Sequence, residues 1–190
     1  MTSSNVRCLC LILMALLMTT VMRGQERLLN FKSFDRQSGI PDQNVMSMAR
    51  DPLGFLWLGT QEGIYRFDGQ RCQRFVRDEA PVGDAHIAWL FCDSHAWMWV
   101  ATYAHGLIGY DVAADTLLHF RPGNDGYPLP NSRVKLMMED RAGQLWVATH
   151  ITGINLYDRA SQSFTNYRPS HQFPTADARD IDEFTYVMTD

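Results

Sequence analysis

The chain is expected to be all-β, assembled from one hairpin unit used repeatedly. A phrase recurs three times: DPLGFLWLGT (51–60), DSHAWMWVAT (93–102) and DRAGQLWVAT (140–149). Each runs Asp, two residues, usually Gly, two residues, Trp, then a small residue and Thr closing the phrase. The match continues in order through Gly63, Gly106 and Gly153, through Asp68, Asp111 and Asp158, and on to Phe75, Phe120 and Tyr167. Spacing agrees: 42 residues separate Trp57 from Trp99, and 47 separate Trp99 from Trp146. Short alternating runs at that period build β-propellers, in which one repeat makes one four-stranded blade.

Each unit divides at turn residues into four runs that alternate apolar and polar positions. The first gives NVMSMARD (44–51), FLWLGTQ (55–61), GIYRFD (63–68) and RCQRFVR (71–77). The second gives HIAWLFCD, WMWVATY, LIGYD and TLLHFR, and the third RVKLMMED, QLWVATH, INLYD and SFTNYR. These are strands A to D of three blades, at about 40–76, 82–121 and 130–168. RLLNFKSF (27–34) reads as a lone D strand, and EFTYVMTD (183–190) as the A strand opening a fourth blade. The predicted fold is thus a partial propeller over 25–190, three antiparallel blades with flanking single strands. Rings close with about four to eight blades, so the sequence reads as the beginning of a longer protein or the product of a truncated reading frame.

The repeated residues have structural explanations. The aspartates at 51, 93 and 140 end strand A, where a carboxylate can accept N–H groups of the turn it starts. Gly54 and Gly143 supply a left-handed residue to that turn, and Ala96 stands in the same place in blade two, at a cost of about 1 kcal/mol. Trp57, Trp99 and Trp146 are expected to fill the space between blades, with Gly59, Ala101 and Ala148 keeping the backbones close. A sugar-binding tryptophan ladder is the weaker alternative, because one buried indole per blade is a packing pattern.

The first residues fall outside this pattern. Arg7 precedes an apolar run from Cys8 to Met22, ended by Arg23, Gly24 and Gln25. A basic lead and a short apolar segment read as a secretory signal over 1–24. The rival is a membrane anchor, but a helix of that length reaches only about 22 Å against a hydrocarbon core of about 30 Å. No later stretch approaches spanning length, so no membrane span is expected after signal removal. Residues 1–24 hold two arginines and no acid, so the remainder carries −6 against −4 for the whole chain. An acidic exported chain is a poor partner for nucleic acid or anionic membranes. Beyond the leader only Cys72 and Cys92 remain. They sit in different blades, and two separate thiols are favoured over a disulfide.

The motif resembles the two-component regulator propeller repeat. Gly39-Ile40-Pro41, Asn44-Val45, Asp51, Gly54, Leu56-Trp57-Leu58-Gly59-Thr60, Gly63-Ile64 and Arg66-Phe67-Asp68 follow that repeat in blade one. Leu129-Pro130-Asn131, Val134, Asp140, Gly143, Leu145-Trp146-Val147-Ala148-Thr149, Gly153 and Tyr157-Asp158 follow it in blade three. Blade two is loosest, lacking the turn glycine and carrying an extra residue before Gly106. The resemblance implies the N-terminal periplasmic part of a Bacteroides-type hybrid two-component sensor. The parent would be anchored in the inner membrane and would sense oligosaccharides to control polysaccharide-utilisation genes. Its histidine kinase, receiver and DNA-binding domains have no counterpart in this sequence, so no enzyme activity is expected of the chain.

Two other functions compete with ligand sensing. One is a secreted scaffold that binds proteins through its blade faces. The other is a glycoside hydrolase, because Asp-x-x-Gly-x-x-Trp resembles the Asp-box of sialidases. That box is a turn remote from the chemistry, and glycoside cleavage needs two carboxylates held about 5–9 Å apart. Glu62, Asp84 and Glu139 give no sign of meeting, and the six histidines form no close-spaced ligand motif. Neither a cofactor nor a metal is expected. The partners expected instead are an oligosaccharide in the longer parent, and the remaining blades or a second copy of the chain.

In an up-and-down blade the D–A and B–C loops share one face, where propellers usually meet ligands. On that face lie Gln61, Glu62, Tyr103, His105 and His150 from B–C loops. Asn44, His86, Asn131 and Arg133, with Asp42, lead into the A strands. These types suit polyol hydrogen bonding, with Tyr103 able to stack on a sugar. Taken singly, each is better explained as an ordinary solvated loop residue.

Overall fold

The structure, a computed structural model, describes residue 39 and residues 44–123 and 128–167. The expected signal, the lone strand at 27–34 and the blade-four strand at 183–190 lie outside the described residues. So does Asp42.

Among the described residues every regular element is a strand. Blade one is β1 (Val45–Arg50), β2 (Leu56–Thr60), β3 (Gly63–Phe67) and β4 (Cys72–Phe75). Blade two is β5 (Ile87–Cys92), β6 (Trp97–Thr102), β7 (Leu107–Asp111) and β8 (Thr116–Phe120). Blade three is β9 (Val134–Glu139), β10 (Leu145–Thr149), β11 (Gly153–Asp158) and β12 (Ser163–Tyr167). Each blade is an antiparallel sheet whose strands pair in chain order. No helix among these residues is long and apolar enough to cross a membrane.

The A–B turn is the same in all three blades. The N–H of Gly54 donates to the carbonyl of Asp51 at 3.0 Å, and Ala96 to Asp93 and Gly143 to Asp140 repeat the bond. The donor residue has φ of +95°, +66° and +76° respectively. Ala96 therefore adopts the left-handed conformation that the alignment requires of it.

The turn aspartate does more than cap the turn. Asp51 Oδ1 accepts the N–H of Phe55 at 2.9 Å, while Oδ2 accepts the indole N–H of Trp57 at 2.8 Å. Asp93 takes the N–H groups of His95 and Trp97 and, at 2.6 Å, the Trp99 indole. Asp140 does the same with Ala142, Gln144 and Trp146. A buried indole N–H needs an acceptor, and an Asp six residues earlier supplies one in every blade. At the other end of the second strand, Thr60, Thr102 and Thr149 donate their hydroxyls to the carbonyls of Gly63, Gly106 and Gly153.

Period-two alternation decides what lies between blades. Trp57 and Ile64 face blade two and pack, with no exposed surface, against Ile87, Leu90, Met98, Val100, Ile108 and Tyr110. Gly59 lets the blades close: a Cβ there would lie 2.6 Å from Ile87 Cγ2. Trp99, Ala101, Leu107 and Phe120 face the other way and meet Val134, Met137, Leu145, Val147 and Tyr157 of blade three. Trp97 stacks on Trp99 at 5.6 Å. Each fully buried indole is worth about 3–5 kcal/mol against alanine. In blade three the corresponding face, with Leu136, Met138, Trp146, Ala148, Ile154 and Leu156, is only partly covered.

Blades two and three are also tied by charge at the turn end. Arg159 donates to Asp93 Oδ2 at 2.6 Å, and Ser94 donates its N–H and hydroxyl to Glu139. Cys72 and Cys92 are both free. Burial, with the charges of Asp93, Asp51 and Glu139 behind it, pushes the Cys92 thiol up to about 11.

Candidate functional site

The face opposite the A–B turns is where the repeat stops repeating. The first strand of every blade carries a register irregularity at its start, at Val45/Ser47, at Ile87/Trp89, and opposite Ala148/Thr149. A bulge at a strand end bends the chain and re-aims the side chains beside it. Asn44, His86 and Arg133 stand immediately before these bulges and are equivalent positions. Gln61, Tyr103 and His150 follow the repeated Thr and are equivalent too. Backbone bonds hold the two sets together: Tyr103 N–H donates to the His86 carbonyl at 3.0 Å, and His150 N–H to the Arg133 carbonyl at 2.9 Å. The scaffold is thus common to blades two and three, while its side chains differ from blade to blade.

Five of the nine expected site residues come together. The His86 and Tyr103 rings pack with centroids 4.2 Å apart. The Arg133 guanidinium reaches from blade three to lie 5.3 Å from the Tyr103 centroid. Asn131 accepts the N–H of Arg133 at 2.8 Å and donates its amide to the His150 carbonyl at 2.9 Å. That chain of contacts runs His86, Tyr103, Arg133, Asn131, His150 across four loops of two blades. Tyr103 and Arg133 are exposed. Two ring nitrogens, His86 Nε2 and His150 Nδ1, are buried without a hydrogen-bond partner. An unpartnered buried polar group costs about 1–3 kcal/mol.

The other four are placed elsewhere. Asn44, Gln61 and Glu62 are exposed on blade one, where the Glu62 carbonyl accepts from Arg74 at 2.9 Å. Arg74 is also paired with Asp84 at 2.6 Å. His105 lines a separate cleft of about 730 Å³ that runs outward between the D–A loop of blade one and the outer strand of blade two. Arg77, Glu79, Asp84, His119 and Arg121 share that lining. Sequence reasoning passed over Arg77, His119 and Arg121, which belong to D strands or their ends and look like ordinary edge residues. His119 Nε2–H donates to the His105 carbonyl at 2.5 Å. Burial holds the His119 imidazole below its usual range, helped by the charges of Arg121 and His105 and opposed by that bond. Arg77 pairs with Asp115 and lies over the Tyr110 ring.

Three blades wound as successive antiparallel sheets, with variable loops at one end, define a segment of a β-propeller. Residues 39–62 and 128–150 match the family model of the two component regulator propeller. The two matched segments take in the A–B hairpins of blades one and three. It is similar to "Histidine kinase P4" of Formosa agariphila, 35% identical over 48 residues, 25% of this chain and 4% of that protein. Its fold is similar to a solved extracellular domain assigned to the hybrid two component system BT3049 of B. thetaiotaomicron. There the TM-score is 0.65 at 23% identity, over 77% of this chain and 21% of that one. Virginiamycin B lyase from Staphylococcus aureus shares the fold at TM-score 0.53 and 13% identity, over 68% of this chain and 42% of that one. The chain therefore spans a small part of the proteins it resembles.

Proposed function

We propose that this chain is part of an exported, ligand-sensing propeller of a two-component system, and that its loop face takes up an oligosaccharide in the periplasm. The observation that carries the reading is the contrast between the two ends of the blades. At the turn end Asp51, Asp93 and Asp140 recur and are committed to turns and indoles. At the loop end equivalent positions hold Asn44, His86 and Arg133, and Gln61, Tyr103 and His150. Function lives in sites grafted on folds, and the loop face offers side chains the fold does not consume. The same commitment of the aspartates removes the Asp-box as an argument for glycoside cleavage. In the parent protein the oligosaccharide signal would pass to a kinase and on to genes for polysaccharide use.

A glycan array probed with the purified chain tests the reading. One class of oligosaccharide should be retained, and His86→Ala or Arg133→Ala should release it. Retention of no glycan, together with capture of a protein through the blade faces, would favour the scaffold instead. Export is tested separately: the N-terminus of envelope material should begin near Gln25, and a membrane-embedded product retaining Met1 would sink it.

A further inference from the structure

We propose that Arg133, lying over the Tyr103 ring, is an anion-recognition element, and that the ligand of the loop face carries a carboxylate or a sulfate ester. The proposal rests on the reading that a ligand meets this face, and it names the chemical class.

Three observations carry it. The first is the state of the arginine. Arg74, Arg77 and Arg159 each end on a carboxylate, those of Asp84, Asp115 and Asp93. Arg133 ends on an aromatic ring, 5.3 Å from the Tyr103 centroid. No ion pair joins it to a carboxylate among the described residues. A guanidinium is a planar fork of N–H donors whose spacing matches two oxygens of a carboxylate or sulfate.

The second is the company it keeps. His86, Tyr103, Asn131, Arg133 and His150 come from four loops and include no acid, in a chain whose formal charge is −4. A cation set among neutral donors keeps its charge available to an anionic ligand. The third is unused hydrogen-bonding capacity. His86 Nε2 and His150 Nδ1 lack partners on either side of the Tyr103–Arg133 pair. Asn131 meanwhile fixes the backbone of both Arg133 and His150. The arginine is thus pre-positioned by its main chain and by the ring it lies on, which lowers the ordering cost of binding.

Saturation-transfer NMR on the full chain reads even weak binding and tests the proposal with matched pairs. A trigalacturonate is compared with its methyl ester, and a sulfated glycosaminoglycan disaccharide with its desulfated form. Inorganic sulfate is added alone as a third probe. At least one anionic member should bind about ten-fold or more tightly than its neutral twin. Preference for the uronate, the sulfate ester or both identifies the source of the charge. Arg133→Met should abolish the preference, and Arg133→Lys should restore only part of it, because an ammonium lacks the fork and the stack. Circular dichroism verifies that each variant keeps its strands.

Equal affinity for charged and neutral twins, a preference that survives Arg133→Met, or no binding of any probe overturns the proposal. Neutral binding lost on Tyr103→Ala but kept on Arg133→Met would overturn the anion while preserving the loop face as the ligand site. Anionic binding untouched by any of these variants would overturn the loop-face reading itself. Sulfate binding with no oligosaccharide preference is an adventitious ion only, and also counts against the proposal.

Discussion

At the scale of single residues, Ala96 and Asp93 carry the sharpest consequences. Ala96 sits at φ +66° where its counterparts are glycines. Ala96→Gly should raise stability by several tenths to about 1 kcal/mol, the relief of strain outweighing the added freedom of the unfolded chain. The midpoint of denaturant unfolding at low protein concentration reads the change, and an unchanged or lower midpoint refutes it. Asp93 is buried and receives two backbone N–H groups, an indole and Arg159. Asp51 receives one backbone N–H and an indole. Removing one partner of a buried ion pair costs about 3–5 kcal/mol, against about 1–3 for an orphaned neutral donor. Asp93→Ala should therefore destabilise the chain clearly more than Asp51→Ala, and equal losses would show that Arg159 contributes nothing.

At the scale of the hairpin, the turns give the fold its response to acid. The Trp146 indole, then the turn N–H of Gln144, hold the Asp140 carboxyl below its usual value of 3.8. Ser161 does this for Asp158, and the N–H of Arg71 for Asp68. A depressed carboxyl stays ionised in the folded chain while the unfolded chain takes up its proton, so the unfolded state binds more protons. The stabilisation is complete above about pH 4 and is lost as pH falls through the folded values. An unfolding midpoint followed downward from neutral pH should hold level and then drop beneath that point, less steeply in Asp140→Asn. A level profile down to strong acid would contradict it.

The same hairpins were legible in advance because their signals are local. The alternation in FLWLGTQ placed Leu56–Thr60, the glycines placed the turns, and Ala96 betrayed its conformation by standing in a glycine's place. The indole–aspartate bond was missed although its spacing of six residues recurs in every phrase. Strand alternation says which face a side chain takes and nothing of what it bonds. The candidate site was legible only as positions on a shared face. That Arg133 crosses to Tyr103 while Glu62 and Gln61 stay apart depends on contacts between blades, for which no local pattern exists.

At the scale of the whole chain, the two sides of a blade are not alike. Between blades one and two, and between two and three, Trp57 and Trp99 are fully buried. On the far side of blade three Trp146 and its neighbours keep part of their surface, and on blade one Met46 and Met48 stand exposed. Apolar sheet faces of this kind favour association. The isolated chain should oligomerise, with light scattering giving a mass above that of one copy. A stable monomer at high concentration would mean that the uncovered surface is too small to drive pairing.

The buried indoles also give the molecule an optical signature. Its five tryptophans divide by environment: Trp57 and Trp99 are sealed and bonded to carboxylates, Trp97 is stacked, Trp146 is partly open, and Trp89 is 37% exposed. Iodide should quench Trp89 emission first and leave a sealed fraction untouched until the blades part, when the remaining light shifts to the red. Trp89→Phe should remove the most quenchable component, leaving that of the partly open Trp146, with little change in the sealed one. Each blade thus carries its own lamp, and the order in which the lamps become accessible would reveal which seam of the propeller opens first.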